Sequence, residues 1–398
     1  MNADFEKFRL KNGLTVLMEH RKLPVVSIIA AVKYGSAYEN AKMKGIAHSL
    51  EHAVFKGTKT KTQKQIASII EKHGGEINAA TAEELTFFYS KIPSRHINLG
   101  IDIISDITLR PLLRENLIEQ EKKVILQEIN LYHDRPELYV TSKIKSLLYE
   151  SPFGMDALGS KETVTGMSRK ELVKVHSCYN PKQMVLALVG NVDKDEILKS
   201  LEKRFSRKIN FQPQELIVRQ KSKTSNILEM RPGLDQAHIC FGFTAPSLNS
   251  KERYSAEILN SILGAGMSSW LWQEIREKRG LAYTVTSHLN QGKTFGNCFV
   301  YAGVKKGSAN ETLNIIRNCI SKFRDLNKKD LEETKEQLIG NFELLNERSD
   351  RIALSLIQEE IVGDAGEHYK YQERISKVKL EDVKNIARLK NHAFVVLN

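Results

Sequence analysis

The segment 45-GIAHSLEHAVFKGT-58 holds the residues of this sequence with the most recognisable chemistry, His48-Ser49-Leu50-Glu51-His52. On a helix, residues three and four apart share a face, so His48, Glu51 and His52 point the same way. Two imidazoles one turn apart can hold one zinc ion at about 2.0–2.1 Å. A carboxylate beside them can take a proton from a metal-bound water, whose pKa the ion lowers toward about 7. The segment therefore predicts a hydrolytic zinc site with Glu51 as the general base.

The order of these residues, HxxEH, reverses the more common HExxH and is the inverzincin signature. Three fixed positions also arise by chance in roughly one in fifty chains of this length and composition. The alternative interpretation is an exposed amphipathic turn with two solvated histidines. A further ligand elsewhere in the chain would favour the metal site over this alternative.

Two glutamates on a second predicted helix, 114–134, are candidates for that ligand. A catalytic zinc normally takes three protein ligands and leaves one position open. Glu121 and Glu128 are seven residues apart and therefore lie on one face of this helix. One can complete the metal site while the other orients a ligand from behind. The residues alone leave open which does which, and two solvated carboxylates on a charged helix are the alternative.

These residues resemble the M16 family of zinc peptidases, whose signature is HxxEH followed by a glutamate at the spacing that Glu128 has from His52. The resemblance implies one zinc ion per chain, held by His48, His52 and Glu128. It makes Glu121 the supporting carboxylate. It also implies a metalloendopeptidase, in which Glu51 is the catalytic base.

Two further stretches carry the resemblance. The stretch 74-GGEINAATAEELTFFY-89 is similar to the family's substrate-binding edge strand, which implies that Asn78 contacts a substrate carbonyl. The backbone around Ala79 and Ala80 would then pair with the peptide as an added strand. The stretch 264-GAGMSSWLWQEIREKRGLAYTV-285 is similar to the family's R-x6-Y motif, with Arg276 and Tyr283 at the matching positions. Both can donate hydrogen bonds to an oxyanion.

The resemblance to the short bacterial and processing-peptidase branch also implies an assembly. A chain of this length carries one metal set and one Arg/Tyr set, so we expect a homodimer whose chamber takes short or unfolded peptides. A heterodimer with a paralogue is the alternative assembly. The alternative function is a non-catalytic or partner-dependent subunit of a heterodimeric processing peptidase.

The elements that must position these residues occur in runs that repeat along the chain. Each half is predicted to have strands, a helix pair, more strands, long helices and a last strand. Segregated runs predict an α+β fold rather than an alternating parallel sheet. We expect two similar α/β-layer domains, each an antiparallel-rich sheet packed with helices, related by duplication. The polar stretch 209–224 would link a metal-binding domain at 1–208 to an inactive repeat at 225–398, which carries the Arg/Tyr motif.

Composition narrows the remaining function classes. The 398-residue chain has a net charge of +12, but its basic residues are spread out and mixed with acids, without a nucleic-acid recognition motif. We therefore expect a peptide partner and no nucleic acid. No apolar run approaches the roughly 18–20 residues of a membrane span, and the N-terminus lacks the parts of a signal peptide, so we expect a cytoplasmic protein without a membrane partner. Four scattered cysteines predict buried free thiols.

Overall fold

The protein is described here from a computed structural model that covers residues 4–207, 211, 213–214, 216–223, 225–389 and 391–398. The expected linker, 209–224, lies partly outside the described residues. The chain forms two compact units. The first contains 1–129, 157–216 and 344–369, and the second contains 130–156, 217–343 and 370–398.

The first unit is built on a mixed sheet with the strand order β1-β2-β6-β3-β5-β4. Its strands are β1 (Asp4–Arg9), β2 (Thr15–His20), β3 (Val25–Val32), β4 (Glu76–Thr81), β5 (Thr86–Pro93) and β6 (Met184–Gly190). Strands β2 and β6 pair in parallel, and the other neighbours pair antiparallel. This order leaves β4 at one edge of the sheet.

Helices cover both faces of this sheet. The helices of the first unit are α1 (Ile46–Val54), α2 (Gln63–Glu71), α3 (Ile97–Leu109), most of α4 (Glu115–Asp134), α6 (Lys161–Gly166), α7 (Arg169–His176), α8 (Lys194–Arg204) and α12 (Ser349–Val362). Alternate residues of β3 point into separate cores: Ile28 and Ala30 into one, Ile29 and Ala31 into the other. Because both faces are covered, β6 is apolar and buried along its whole length, as expected for a central strand.

The second unit repeats this plan on a sheet with the order β7-β11-β8-β10-β9. Its strands are β7 (Ile227–Glu229), β8 (Gln236–Thr244), β9 (Ala282–Gln291), β10 (Gly296–Lys305) and β11 (His392–Leu397). Its helices are α5 (Pro136–Leu148), α9 (Arg253–Gly264), α10 (Ala309–Ser321), most of α11 (Lys328–Leu345), α13 (Tyr371–Ser376) and α14 (Leu380–Ile386), with a π-helix at Trp272–Glu277. Strands β7 and β11 pair in parallel, and the other neighbours pair antiparallel.

One helix from the first half of the sequence belongs to the second unit, and one helix from the second half belongs to the first unit. Helix α5 packs on β8, β10 and β11 of the second unit, whereas α12 packs on β2, β3 and β6 of the first. A β-carbon at Gly242 of β8 would lie 2.3 Å from Ile144 of α5, so glycine is what allows this helix to approach the sheet. Each compact unit is therefore assembled from alternating segments of the chain. The expected continuous domains, 1–208 and 225–398, stay a prediction.

The duplication can be followed to individual contacts. Lys122 of α4 pairs with Glu119 and donates to the carbonyl oxygen of Thr165. Lys335 of α11 pairs with Glu332 in the same way and donates to the carbonyl oxygen of Ser376. Both lysines are largely buried. These equivalent contacts, with the similar sheets and element order, confirm the predicted α+β fold of two similar layered domains.

Two further expectations can be compared with this fold. All four cysteines are free and buried, as predicted. Within the described residues, every helix is too short or too polar to cross a bilayer.

Candidate metal centre

The helix that carries the HxxEH residues, α1, begins at a buried turn. Gly45 has a left-handed conformation, with φ 92°, and a β-carbon there would lie 2.5 Å from the carbonyl oxygen of Leu158. The Glu39 carboxylate accepts hydrogen bonds from the backbone amides of Gly45 and Ala47, at 3.0 and 2.7 Å. These amides have no partner within the helix, and the negative charge complements the helix dipole. The start of α1 is thus fixed from outside the helix.

His48 and His52 converge with Glu128, which reaches them from α4. Oε2 of Glu128 lies 3.5 Å from Nε2 of His48 and 3.7 Å from Nε2 of His52. One ligand atom from each residue lies within 4.8 Å of the other two. Direct N–H···O bonds span about 2.7–3.2 Å, so these contacts are long for hydrogen bonds. Two ligands of one tetrahedral ion at about 2.0–2.2 Å lie roughly 3.3–3.6 Å apart, close to the spacing found here.

The protonation state of these groups also suits a metal ion. Burial, with a smaller effect of neighbouring His52, lowers the pKa of His48 to about 4. His48 is therefore neutral at pH 7, and a neutral imidazole keeps a lone pair for a ligand. Two imidazole nitrogens and a carboxylate oxygen form a donor set that zinc accepts. The residues present thus fit the zinc ion that the sequence predicts.

Glu121 lies behind His52 rather than in the group of potential ligands. Its Oε2 is 3.3 Å from Nδ1 of His52, and its Oε1 is 2.6 Å from Nζ of Lys56. A carboxylate at Nδ1 holds the proton on that nitrogen and leaves the Nε2 lone pair toward Glu128. This arrangement favours Glu128 as a zinc ligand and Glu121 as the residue that orients His52. The half-buried His52 and buried His48 differ from the solvated histidines of the alternative interpretation.

Glu51 lies on the same face of α1, as its spacing predicts, and its carboxylate contacts β4. The hydroxyl of Thr81 donates to Oε2 of Glu51 at 2.5 Å. Burial raises the pKa of Glu51, against the hydrogen bond from Thr81 and the charge of His52, which lower it. The negative charge of Glu128 raises it further. A raised pKa is the direction in which a carboxylate becomes a better proton acceptor.

The residues predicted to bind substrate lie on β4, the edge strand nearest α1 in the first unit. Asn78 and Ala80 are exposed, whereas Ala79 and Thr81 are half-buried, which is the alternation expected of a strand with one solvated face. The side-chain oxygen of Asn78 accepts from the backbone amide of Ala79 at 2.8 Å. An edge strand with accessible backbone groups can accept an extended peptide as an additional strand.

Arg276 and Tyr283, in the second unit, contact each other. Arg276 lies on the π-helix and donates to the carbonyl oxygen of Tyr283 at 2.7 Å. Its guanidinium lies 4.1 Å from the centre of the Trp272 ring and 5.0 Å from that of the Tyr283 ring. Tyr283 is 76% exposed at the start of β9. Two aromatic faces thus hold the arginine, while the tyrosine side chain faces solvent.

Three residues that contact the candidate site or its helix were not singled out from the sequence. Lys56 stands four residues after His52, just past the end of α1, a spacing that could have drawn attention to it. Thr81 follows the residues that are predicted to bind substrate, but the sequence pattern does not indicate that its hydroxyl contacts Glu51. Glu39 precedes α1 by a loop, and its capping role depends on how that loop folds back.

Comparison with protein-family models covers most of the chain. Residues 15–159 match the model described as Insulinase (Peptidase family M16), and residues 167–338 match that of the Peptidase M16 inactive domain. An uncharacterized zinc protease of Rickettsia bellii is 35% identical over 87% of this chain and 85% of its own length. An uncharacterized zinc protease of Bacillus subtilis is 29% identical over 96% of this chain and 95% of its own length.

A solved structure has the same fold. The crystal structure of a protease from Helicobacter pylori matches with a TM-score of 0.91, over 100% of both chains, at 23% sequence identity. At that identity the likeness concerns the fold alone. The sequence relatives and the two matched models establish the family directly, and they confirm the resemblance that the motifs carried. This chain is a member of the M16 peptidase family.

Proposed function

We propose that this chain is a zinc-dependent endopeptidase that hydrolyses peptide bonds in short or unfolded peptides. The observation that carries the proposal is the convergence of His48, His52 and Glu128, with Glu51 on the same helical face. That the sequence relatives bear the name zinc protease supports the reaction class. The mixed surface charge and the lack of any nucleic-acid recognition motif favour peptides as the partners.

The proposed zinc ligands are Nε2 of both histidines and an oxygen of Glu128, with one ion per chain. When bound, zinc polarises a carbonyl group and lowers the pKa of water toward about 7. Glu121 holds His52 in the tautomer that ligation requires, and Lys56 holds Glu121 from its other oxygen. Glu119 and Lys122, on the same helix as Glu121, make a separate pair.

Glu51 is the proposed proton carrier. In its ionised form it takes a proton from the attacking water, and it then donates that proton to the leaving amine. Burial raises its pKa, which is the direction that favours holding the proton between the two steps.

The other predicted residues would bind the peptide and stabilise the oxyanion. An extended peptide would pair with the backbone at Ala79 and Ala80, and Asn78 would contact a substrate carbonyl. Arg276 and Tyr283 would donate hydrogen bonds to the oxyanion. A homodimer would provide two complete sets of these residues, and a heterodimer with a paralogue is the alternative assembly.

The experiment is cleavage of a quenched fluorescent peptide library by the purified chain, by Glu51→Gln, and by each with a chelator. We expect chelator-sensitive cleavage that returns on addition of zinc and is reduced at least about 1,000-fold in Glu51→Gln. Equal cleavage by both proteins would contradict the role of Glu51. Zinc binding without cleavage would favour a partner-dependent subunit over the proposed enzyme.

A further inference from the structure

The last residue of β4, Thr81, contacts the Glu51 carboxylate. Its hydroxyl donates to Oε2 at 2.5 Å. Because this donor stands at the end of the strand, the position of the carboxylate follows the position of the strand end. The contact joins α1, which carries the proposed base, to the edge strand on which an extended peptide would lie.

The geometry of β4 explains why Thr81 faces the base while its neighbours face solvent. Successive side chains of a strand point to opposite faces, and the burial of β4 alternates accordingly. Ile77, Ala79 and Thr81 share the half-buried face, and α1 packs against this strand. Asn78 and Ala80 share the exposed face. Thr81 is therefore the polar member of the face that α1 covers.

The contact matters because Glu51 is only partly exposed to water. A carboxylate in such a place is oriented by the few donors it has, and a hydrogen bond to a charged group is stronger than one between neutral groups. Without the hydroxyl, Oε2 would lose a donor and the carboxylate could rotate about its terminal torsion, which is a soft one. A base displaced by even 1 Å from the water it serves loses much of its effect.

We propose that Thr81 is a positioning residue that holds Glu51 for proton transfer and links this base to the peptide-binding edge of β4. This inference rests on the proposed peptidase function. It assigns Thr81 a part in kcat rather than in zinc binding or in substrate affinity, because the Thr81 hydroxyl donates its hydrogen bond to the base and not to a proposed ligand. The same strand that accepts the peptide thus supports the group that acts on it.

The test compares Thr81→Val, which keeps the shape and removes the hydroxyl, with Thr81→Ser, which keeps the hydroxyl. Thr86→Val is the matched control: Thr86 is opposite Thr81 on β5, and its buried hydroxyl donates to the carbonyl oxygen of Tyr34 rather than to Glu51. For each protein, kcat and KM are measured on one quenched peptide, and zinc affinity is measured by chelator competition without substrate.

We expect Thr81→Val to lower kcat about 10- to 100-fold, with KM and zinc affinity within about threefold of the unmodified chain. Thr81→Ser and Thr86→Val should both keep kcat within about threefold. Unchanged kcat in Thr81→Val would overturn the inference, as would equal loss in Thr81→Ser or loss of zinc in Thr81→Val. If the unmodified chain and Thr81→Val cleave the peptide equally well, this result contradicts the inference about Thr81 but not the proposed function. An unmodified chain that cleaves nothing contradicts the proposed function, and this inference with it.

Discussion

At the residue scale, the proposed metal ligands depend on side chains that hold them from behind. Glu121 contacts His52 through one oxygen and Lys56 through the other, so the orientation of its carboxylate is fixed at both ends. Such groups set the tautomer and angle of a ligating histidine, and their loss typically weakens metal affinity by about 10- to 100-fold. The proposed site can therefore be weakened without changing a ligand.

Glu121→Gln should lower zinc affinity about 10- to 100-fold while leaving one zinc per chain at saturation. The amide cannot hold the His52 proton and the Lys56 ammonium as the carboxylate does. Chelator competition measures the change. Glu119→Gln is the matched control, because Glu119 is on the same helix but pairs with Lys122 instead. If Glu119→Gln weakened zinc binding as much as Glu121→Gln, the role of Glu121 would be excluded.

His176 gives a prediction about stability and pH. Its Nε2 lies 2.8 Å from the carbonyl oxygen of Thr108, and burial, with the charge of Arg207, lowers the pKa of His176 to about 4. In the unfolded chain its pKa is about 6.5. Between these values the unfolded state binds more protons than the folded state. The free energy of unfolding is therefore expected to fall as the pH is lowered from about 6.5 to 4.

His176→Gln should make that dependence shallower, because the amide can still donate to Thr108 but does not titrate. Denaturant unfolding at several pH values measures the slope. His133→Gln, at an exposed position, is the control and should leave the slope as it is. An unchanged slope in His176→Gln would show that other groups account for the acid sensitivity.

At the element scale, α12 completes the first unit although it lies far along the chain. Its residues Ile352, Ala353, Leu356 and Ile357 form one core with the sheet face that carries Ile29 and Val189. Polar contacts flank this core: Ser349 bonds to Ser27, Asp350 pairs with Lys91 and Glu360 pairs with Lys7. The sheet that positions β4 thus depends on a helix from the second half of the sequence.

Leu356→Ala should destabilise the folded chain by about 2–5 kcal/mol, because Leu356 is fully buried in this core and its removal leaves a cavity. Chemical denaturation measures the loss. Leu344→Ala, at a position 66% exposed, is the matched control and should cost less than about 0.5 kcal/mol. Equal losses in the two variants would contradict the packing of α12 on the sheet.

Local patterns in the sequence predicted most elements and part of the candidate site. Helix α4 lies within one residue of the predicted helix 114–134, and α1 forms over the HxxEH segment, because helical spacing is a local signal. The shared face of His48, Glu51 and His52 follows from helix geometry alone. The parts that were not predicted depend on tertiary contacts: the exchange of α5 and α12 between units, the Glu39 cap, and the choice between Glu121 and Glu128 as the ligand. The last of these came from the family resemblance.

At the scale of the whole molecule, divergence between the two repeats explains why the described residues place a candidate metal site in the first unit and not in the second. Glu119 and Lys122 of the first unit correspond to Glu332 and Lys335 of the second. Counting from these pairs, Asn341 stands where Glu128 would be and Thr334 stands where Glu121 would be. The second unit also has no HxxEH motif. The repeat has kept its packing contacts and lacks the side chains proposed to bind zinc.

The exchange of helices predicts that neither half folds alone. A fragment of residues 1–208 lacks α12, so the apolar sheet face with Leu17, Ala31 and Ala187 would be exposed to water. We expect this fragment to aggregate or to lack near-UV circular dichroism, and co-expression with 209–398 to restore a folded complex. Cooperative unfolding of the isolated 1–208 fragment, with native near-UV dichroism, would contradict this prediction.

His48, His52 and Glu128 are proposed to hold one zinc ion per chain. Anomalous diffraction at the zinc edge, from crystals of the zinc-loaded protein, tests this ligand set directly. We expect one strong peak per chain, about 2.0–2.2 Å from Nε2 of each histidine and from an oxygen of Glu128. A peak coordinated by Glu121 in place of Glu128, or no peak between the two histidines, would contradict it.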